Sequence, residues 1–151
     1  MSETHIELRT ALVAHTRMQL ATLDYRRTIK QLSAAGHPQT VIARTVGVSQ
    51  PAIGQSLRRS RDLTGPAEGF AGASPYEIIQ RFVAEQIDRD EAIAQLARWD
   101  YPPPILTDGA DDLSFDEPGG WGEVELACDM GLIDDDFIDE VQGEQERLGR
   151  A

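Results

Sequence analysis

The stretch "QTVIARTVGVSQPAIGQSLRRS", residues 39–60, decides the fold of the N-terminal half of the chain. Helix-forming sequence lies on both sides of Gly47, a residue that can take the positive φ required by a tight turn between two helices. Ser49 is a good N-cap for the second helix, and Pro51 is tolerated in its first turn. The stretch therefore predicts two helices that cross at roughly a right angle.

Two closely crossing helices need apolar residues on their inner faces and a small residue at the crossing point. We expect the helices over Gln39–Val46 and Gln50–Arg61, with Ala43 as the small residue. Gly54 is expected on the exposed face of the second helix. The residues predicted to be buried between the helices are Ile42, Val46, Val48 and Ile53.

Through the segment "IARTVGVSQPAIGQSLRR", this arrangement resembles the helix-turn-helix of bacterial transcription regulators. The resemblance implies that the second helix lies in the major groove of double-stranded DNA, with its N-terminal part against base edges. It also implies that Gln50 and Gln55 pair with adenine. The residues implied for binding phosphates are Arg44, Ser49, Arg58, Arg59 and Arg61.

Charge is distributed unevenly along the chain. Residues 1–61 hold nine Lys and Arg against three Asp and Glu, a net charge of +6. Residues 62–151 hold five against 23, a net charge of −18, and residues 99–146 contain 16 acids and no Lys or Arg. The basic half suits DNA and the acidic half repels it. The alternative for the basic half is a three-helix core with a solvated basic face.

An N-terminal helix precedes the quoted stretch. Residues 4–35 contain no Gly or Pro, which predicts either one long helix or two helices with a break near residues 21–24. Gly36 is a natural end for this helix. We expect a homodimer through its apolar side, because one recognition helix reads few base pairs. The residues expected in that contact are Leu8, Leu12 and Leu20.

A composition change separates a second domain from the first. Residues 62–73 carry three Gly and one Pro among small residues, which predicts a linker. Residues 74–151 predict a smaller acidic helical domain, in which Ser74 and Asp88 are N-caps. A short strand is expected at Leu113–Phe115 within an otherwise loop-like segment. The chain as a whole is therefore expected to be all-α.

The segment "SPYEIIQRFVAEQIDRDEAIAQLARW" resembles helical segments of bacterial antitoxins and regulator tails. The resemblance implies an antitoxin-like repressor whose acidic C-terminal domain binds a basic protein partner. The alternative is an acidic DNA mimic or adaptor that occupies the nucleic-acid site of a basic protein. The apolar anchors expected for the partner, where they are exposed, are Trp121, Phe137 and Ile138.

Other function classes find little support in the sequence. A lone cysteine, Cys128, excludes an intramolecular disulfide and a Cys-based zinc site. The three histidines lack metal-ligand spacing, and we find neither a phosphate loop nor a nucleophile–base pair. We therefore expect no catalytic residues, metal or cofactor. No apolar run reaches the roughly 20 residues that span a bilayer, and the acidic N-terminus is no signal peptide. We expect a cytoplasmic protein without a membrane partner.

Overall fold

The computed structural model describes residues 3–103 and 118–150, so the strand expected at Leu113–Phe115 lies outside the described residues. Within those ranges the chain forms seven helices and no strand, which confirms the all-α prediction. In the same ranges no helix is both long and apolar enough to cross a membrane. The helices are α1 (Glu3–Ala34), α2 (Gln39–Val46), α3 (Gln50–Arg59), α4 (Pro75–Val83), α5 (Arg89–Arg98), α6 (Gly122–Asp129) and α7 (Asp135–Arg147).

The chain divides into two compact units, Met1–Gly65 with α1–α3 and Pro66–Ala151 with α4–α7. The boundary falls inside the segment 62–73 that we expected to be a linker. The C-terminal part of that segment makes contacts within the second unit. The Ala71 N–H donates to the Gln95 side chain at 2.7 Å. The Phe70 ring packs edge-on against Trp99, with ring centroids 5.2 Å apart.

Helix α1 is one uninterrupted helix of 32 residues, so the break considered near residues 21–24 does not occur. It ends where Gly36 takes a φ of 95° and the His37 N–H donates to the Leu32 carbonyl at 3.1 Å. This is the glycine-terminated helix end that the sequence predicts.

The turn between α2 and α3 has the expected chemistry. Gly47 is left-handed, with a φ of 84°, and its N–H donates to the Ala43 carbonyl at 2.9 Å. The Val48 N–H donates to the same carbonyl at 3.0 Å. Ser49 then caps α3, since its hydroxyl oxygen accepts from the Ala52 N–H at 3.3 Å, and Pro51 lies in the first turn. These contacts confirm the predicted turn.

The core of the first unit is smaller than expected. Ile42, Ala43 and Ile53 are buried, with Ile29 of α1 completing the cluster and Leu32 and Leu57 packed against it. Val46 and Val48 were expected in this core but are 44% and 40% exposed. They flank Gly47, where the chain reverses direction, and the buried residues of the eight-residue α2 are Ile42 and Ala43.

Two further expectations about burial are wrong. Gly54 is buried rather than exposed: a Cβ there would lie 3.4 Å from Gln39 Oε1 and 3.5 Å from an Arg58 guanidinium nitrogen. Leu20, expected in a dimer contact, is already fully buried within the single chain. Leu8 is 67% exposed and Leu12 is half-buried, so only these two of the three remain at the surface.

In the second unit, α5 packs against α4 and α7, and α4 also packs against α6. Side chains cap three of these helices: Ser74 accepts from the Glu77 N–H at 3.1 Å, and Asp88 accepts from the Glu91 N–H at 2.8 Å. Asp134 likewise accepts from the Phe137 N–H at 2.9 Å. The largest fully buried side chains here are Ile78, Ile79, Val83, Leu96, Val124, Phe137 and Val141.

The two glycines near the α2–α3 crossing predict opposite responses to alanine. A Cβ at Gly47 would meet nothing within 4 Å. Gly47→Ala should therefore lower the free energy of unfolding by about 1–2 kcal/mol, the cost of a left-handed backbone alone. Gly54 has helical backbone, and the atoms near its Cβ position end flexible side chains. Gly54→Ala should therefore raise the free energy of unfolding by up to about 1 kcal/mol, through helix propensity.

Urea denaturation of the full-length variants, followed by far-ultraviolet circular dichroism, measures both effects. Equal losses of stability from the two substitutions would contradict this assignment of the two glycines.

Candidate nucleic-acid interface

Helix α3 has one buried and one exposed side. Ile53 lies on the buried side, and helical spacing places Gln55, Arg58 and Arg59 on the opposite side, where all three are exposed. The exposed side also carries Pro51 and Ala52, which are small and leave the backbone of the first turn accessible. The exposed side of α3 is therefore polar and basic, and the buried Ile53 packs the other side against the core.

The first residue of α3 has a side-chain partner that the sequence did not reveal. Gln50 Nε2 donates to Gln39 Oε1 at 2.7 Å, and both side chains are at the surface. Gln39 is the first residue of α2, so this hydrogen bond links the starts of the two helices. The only sequence signal is that both glutamines begin a helix of the pair. Their approach depends on the turn at Gly47, and so could not be read from spacing.

Gly54 contributes to the same arrangement. A Cβ at this position would lie 3.4 Å from the Gln39 oxygen that accepts from Gln50. The absence of a side chain at Gly54 therefore leaves room for the Gln39 side chain to lie across the start of α3. Gly54 thus faces the Gln39 side chain of α2, at a distance that an alanine methyl would still accept.

The remaining predicted DNA-binding residues lie around α3. Arg44 is exposed in the last turn of α2, and Arg61 is exposed just after α3. Ser49 is exposed too. Because its hydroxyl oxygen accepts from the Ala52 N–H, Ser49 also caps α3. All seven residues predicted to bind DNA thus lie at the surface of the first unit: Arg44, Ser49, Gln50, Gln55, Arg58, Arg59 and Arg61.

Two basic residues of α1 have a structural role. Lys30 Nζ donates to the carbonyls of Arg61 and Leu63 at 2.9 and 2.7 Å. Arg27 Nε donates to the Thr64 carbonyl at 3.0 Å. These bonds hold the segment that follows α3 against α1. They fix the position of the Arg61 backbone just after α3.

The two units carry net charges of opposite sign. Met1–Gly65 holds nine Lys and Arg against four Asp and Glu, a net of +5. Pro66–Ala151 holds five Arg against 22 Asp and Glu, a net of −17. A long-range field of this sign attracts a polyanion to the first unit and repels it from the second.

The arginines of the second unit, all within the described ranges, are already ion-paired with its acids. Arg81 meets Glu77 at 3.0 Å in a buried pair, and Arg89 meets Glu140 at 3.0 Å at the surface. The other three pairs are Arg98 with Glu91, Arg147 with Glu144 and Arg150 with Asp100. The hydrogen bond from Arg147 lowers the pKa of Glu144 below its ordinary value.

Of the three apolar anchors expected in the second unit where they are exposed, Phe137 is buried and Trp121 and Ile138 are half-buried. Phe137 is fully buried, since it packs against Phe82 with ring centroids 5.2 Å apart, and the Arg89 guanidinium lies over its ring at 5.1 Å. It is therefore not part of any surface. Trp121 is half-buried against the Tyr101 ring, and Ile138 is half-buried on α7. Among the described residues of this unit, the large apolar side chains at the surface are Leu126, Met130 and Leu148.

The titratable side chains of the described ranges form no metal-ligand cluster, and the pKa values of Cys128 and Tyr101 are raised. Residues 3–103 and 118–150 hold no group of three or more His, Cys, Asp or Glu side chains able to bind a metal ion. Burial, followed by a hydrogen bond to Asp135, raises the pKa of the Cys128 thiol. Burial likewise raises the pKa of Tyr101, whose hydroxyl donates to the Leu96 carbonyl at 2.7 Å.

Comparisons with protein-family models, with curated proteins and with solved structures each find no match. Any assignment of function to the α3 surface therefore rests on the contacts and charges given above.

Proposed function

We propose that this chain is a sequence-specific DNA-binding transcription regulator in which α2, the Gly47 turn and α3 form a helix-turn-helix. The observation that carries the proposal is the exposed polar and basic side of α3, held on a buried core by Ile53. On the exposed side of its first turn, Pro51 and Ala52 are small, so base edges in a major groove can approach the helix. The net charge of +5 on this unit supplies the attraction to phosphates.

Gln50 is the proposed reader of an adenine. A glutamine amide pairs with adenine by donating one N–H to N7 and accepting from the N6 amino group. The hydrogen bond from Gln50 to Gln39 uses one of the two N–H groups on Nε2. The second N–H and the carbonyl oxygen remain, which are the two groups that adenine requires. Gln39 therefore orients Gln50 without competing with the base.

The proposed phosphate contacts surround this reader. Arg44 lies at the end of α2, while Arg58 and Arg59 lie in the last turn of α3 and Arg61 follows it. Guanidinium groups bind phosphate oxygens and carry no base information, so these residues set affinity and orientation. Gln55 lies one turn after Pro51 on the exposed side and is proposed as a second base contact.

The second unit is proposed to bind a protein, as in an antitoxin-like repressor. With 22 acids against five arginines, its charge opposes contact with DNA and favours a basic partner. The same charge supports the alternative of an acidic DNA mimic. The two proposals differ in whether the first unit itself binds duplex DNA.

The affinity for DNA should depend steeply on salt. If four phosphates are neutralised per chain, the slope of log K against log salt should be about −3.6. Arg58→Ala with Arg59→Ala should weaken binding to all sequences alike and reduce the slope by about 1.8. Fluorescence anisotropy of the full-length chain on a labelled duplex measures this.

The control, Arg9→Ala with Arg26→Ala, removes the same charge from α1 and should reduce the slope less. An equal reduction of the slope by the two pairs would refute the assignment of Arg58 and Arg59 to phosphate binding. Binding that does not depend on salt would refute the phosphate contacts as a whole.

Gln50→Ala should weaken binding to the preferred site by on the order of 1–3 kcal/mol and barely affect random duplex. Gln39→Ala should lose part of that preference. The double variant should lose little more than Gln50→Ala, because the two side chains act as one unit. Competition between the preferred site and random duplex measures each loss. Gln31→Ala, an exposed glutamine of α1, is the matched control. Simple addition of the two losses would show that Gln39 acts independently of Gln50.

We also propose a homodimer through the exposed N-terminal part of α1, since paired recognition helices read two half-sites. Because Leu20 is buried within the chain, the contact is assigned to Leu8 and Leu12 alone. Leu12→Glu should convert the dimer to a monomer in multi-angle light scattering. A wild-type monomer at tens of micromolar protein would exclude it.

A further inference from the structure

We propose that the exposed face of α6 binds a cationic amphipathic segment of a protein partner, an inference that rests on the protein-binding role proposed for the second unit. Helix α6 faces its core with Val124 and Ala127, both fully buried. The opposite face carries an apolar pair, Leu126 at 51% exposure and Met130, just after the helix, at 56%. We call the surface formed by Leu126, Met130, Glu125 and Asp129 the α6 face.

Helical spacing organises the α6 face into two neighbouring stripes. Leu126 and Met130 are four residues apart, so their side chains lie one above the other. Glu125 and Asp129 have the same separation and form an acidic stripe beside the apolar one; both are exposed. The Tyr76 hydroxyl donates to Met130 Sδ at 3.5 Å, so a residue of α4 lies beside the apolar stripe.

Three of the four residues of the α6 face contribute little to the helix that carries them. Two like charges four residues apart repel each other, and Asp129 lies in the last turn, where the helix dipole disfavours an acid. Glu125 lies in the first turn, where the dipole favours an acid, as it does for Asp135 and Asp136 at the start of α7. Leu126 and Met130 gain little from burial because most of their surface remains in water. Asp129, Leu126 and Met130 therefore lack a structural reason within α6.

The charge of the α6 face is not neutralised within the described residues. All five arginines of the second unit pair with acids other than Glu125 and Asp129. A partner that brings Lys or Arg beside apolar side chains would satisfy both stripes at once. Charge complementarity would speed its encounter, and the apolar contacts would hold it. The flexible Met130 side chain suits a partner surface that is not fixed in shape.

The inference can be tested on the full-length protein with a synthetic probe. The probe is a fluorescein-labelled peptide of about 15 residues, long enough to form a helix, with Leu and Lys at helical spacing. Leu126→Ala with Met130→Ala should weaken its binding about tenfold in an anisotropy titration. The matched control is Met18→Ala with Leu148→Ala, a Met and a Leu that are 59% and 43% exposed and lie outside the α6 face. The control should change the affinity about twofold or less.

A second pair of variants separates the site from bulk charge. Glu125→Gln with Asp129→Asn and Asp139→Asn with Glu146→Gln remove the same charge from exposed positions on α6 and α7. Only the first pair should weaken binding several-fold and flatten its salt dependence. Equal losses from the two pairs, or a wild-type protein that does not bind the peptide, would overturn the proposal. So would a changed oligomeric state of the α6 variants in light scattering, which would identify a second copy as the occupant.

DNA binding is measured on the same proteins to keep the two proposals apart. Peptide binding without DNA binding by the wild type would refute the proposed regulator and leave the α6 face standing. DNA binding without peptide binding would refute the α6 face alone.

Discussion

The left-handed backbone of Gly47 is the constraint on which the first unit depends. Because Gly47 takes a φ of 84°, α2 ends in one turn and the chain reverses within two residues to the Ser49 cap of α3. This reversal brings Ile42 and Ala43 against Ile53 to form the core. It also brings Gln39 within 2.7 Å of Gln50 and leaves the basic side of α3 exposed. A single backbone angle thus sets both the core and the candidate interface.

The parts of the fold that sequence predicts well are those with local chemistry. Gly36, Gly47 and the capping residue Ser49 act through bonds to residues at most a few positions away, so their roles could be read directly. Burial could not be read so well. Val46 has the correct spacing for a core residue, but α2 is too short to bury it. Phe137 was expected to be an apolar anchor where exposed, because acids alone bind a partner weakly, but its ring is fully buried and packs against Phe82.

The candidate interface was predicted in its residue types and not in its internal contacts. The exposed arginines in the last turn of α3 and just after it followed from charge and periodicity. The Gln39–Gln50 hydrogen bond joins residues eleven positions apart that meet only after the turn has formed. Gly54 was misplaced for the same reason, since its neighbour Gln39 comes from another helix. Opposite net charges on the two halves were clear from sequence alone, as +6 for residues 1–61 and −18 for residues 62–151, and the two units divide the charge as +5 and −17.

In the proposed complex, α3 of the first unit, and no part of the second, contacts duplex DNA. Amide hydrogen exchange of the full-length protein, with and without a duplex selected from a random pool by the protein itself, tests it most directly. We expect slower amide exchange at Gly47 and along Gln50–Arg59 in the complex, and unchanged exchange rates in α6 and α7. Protection confined to α6 and α7, or no selected duplex at all, would contradict it.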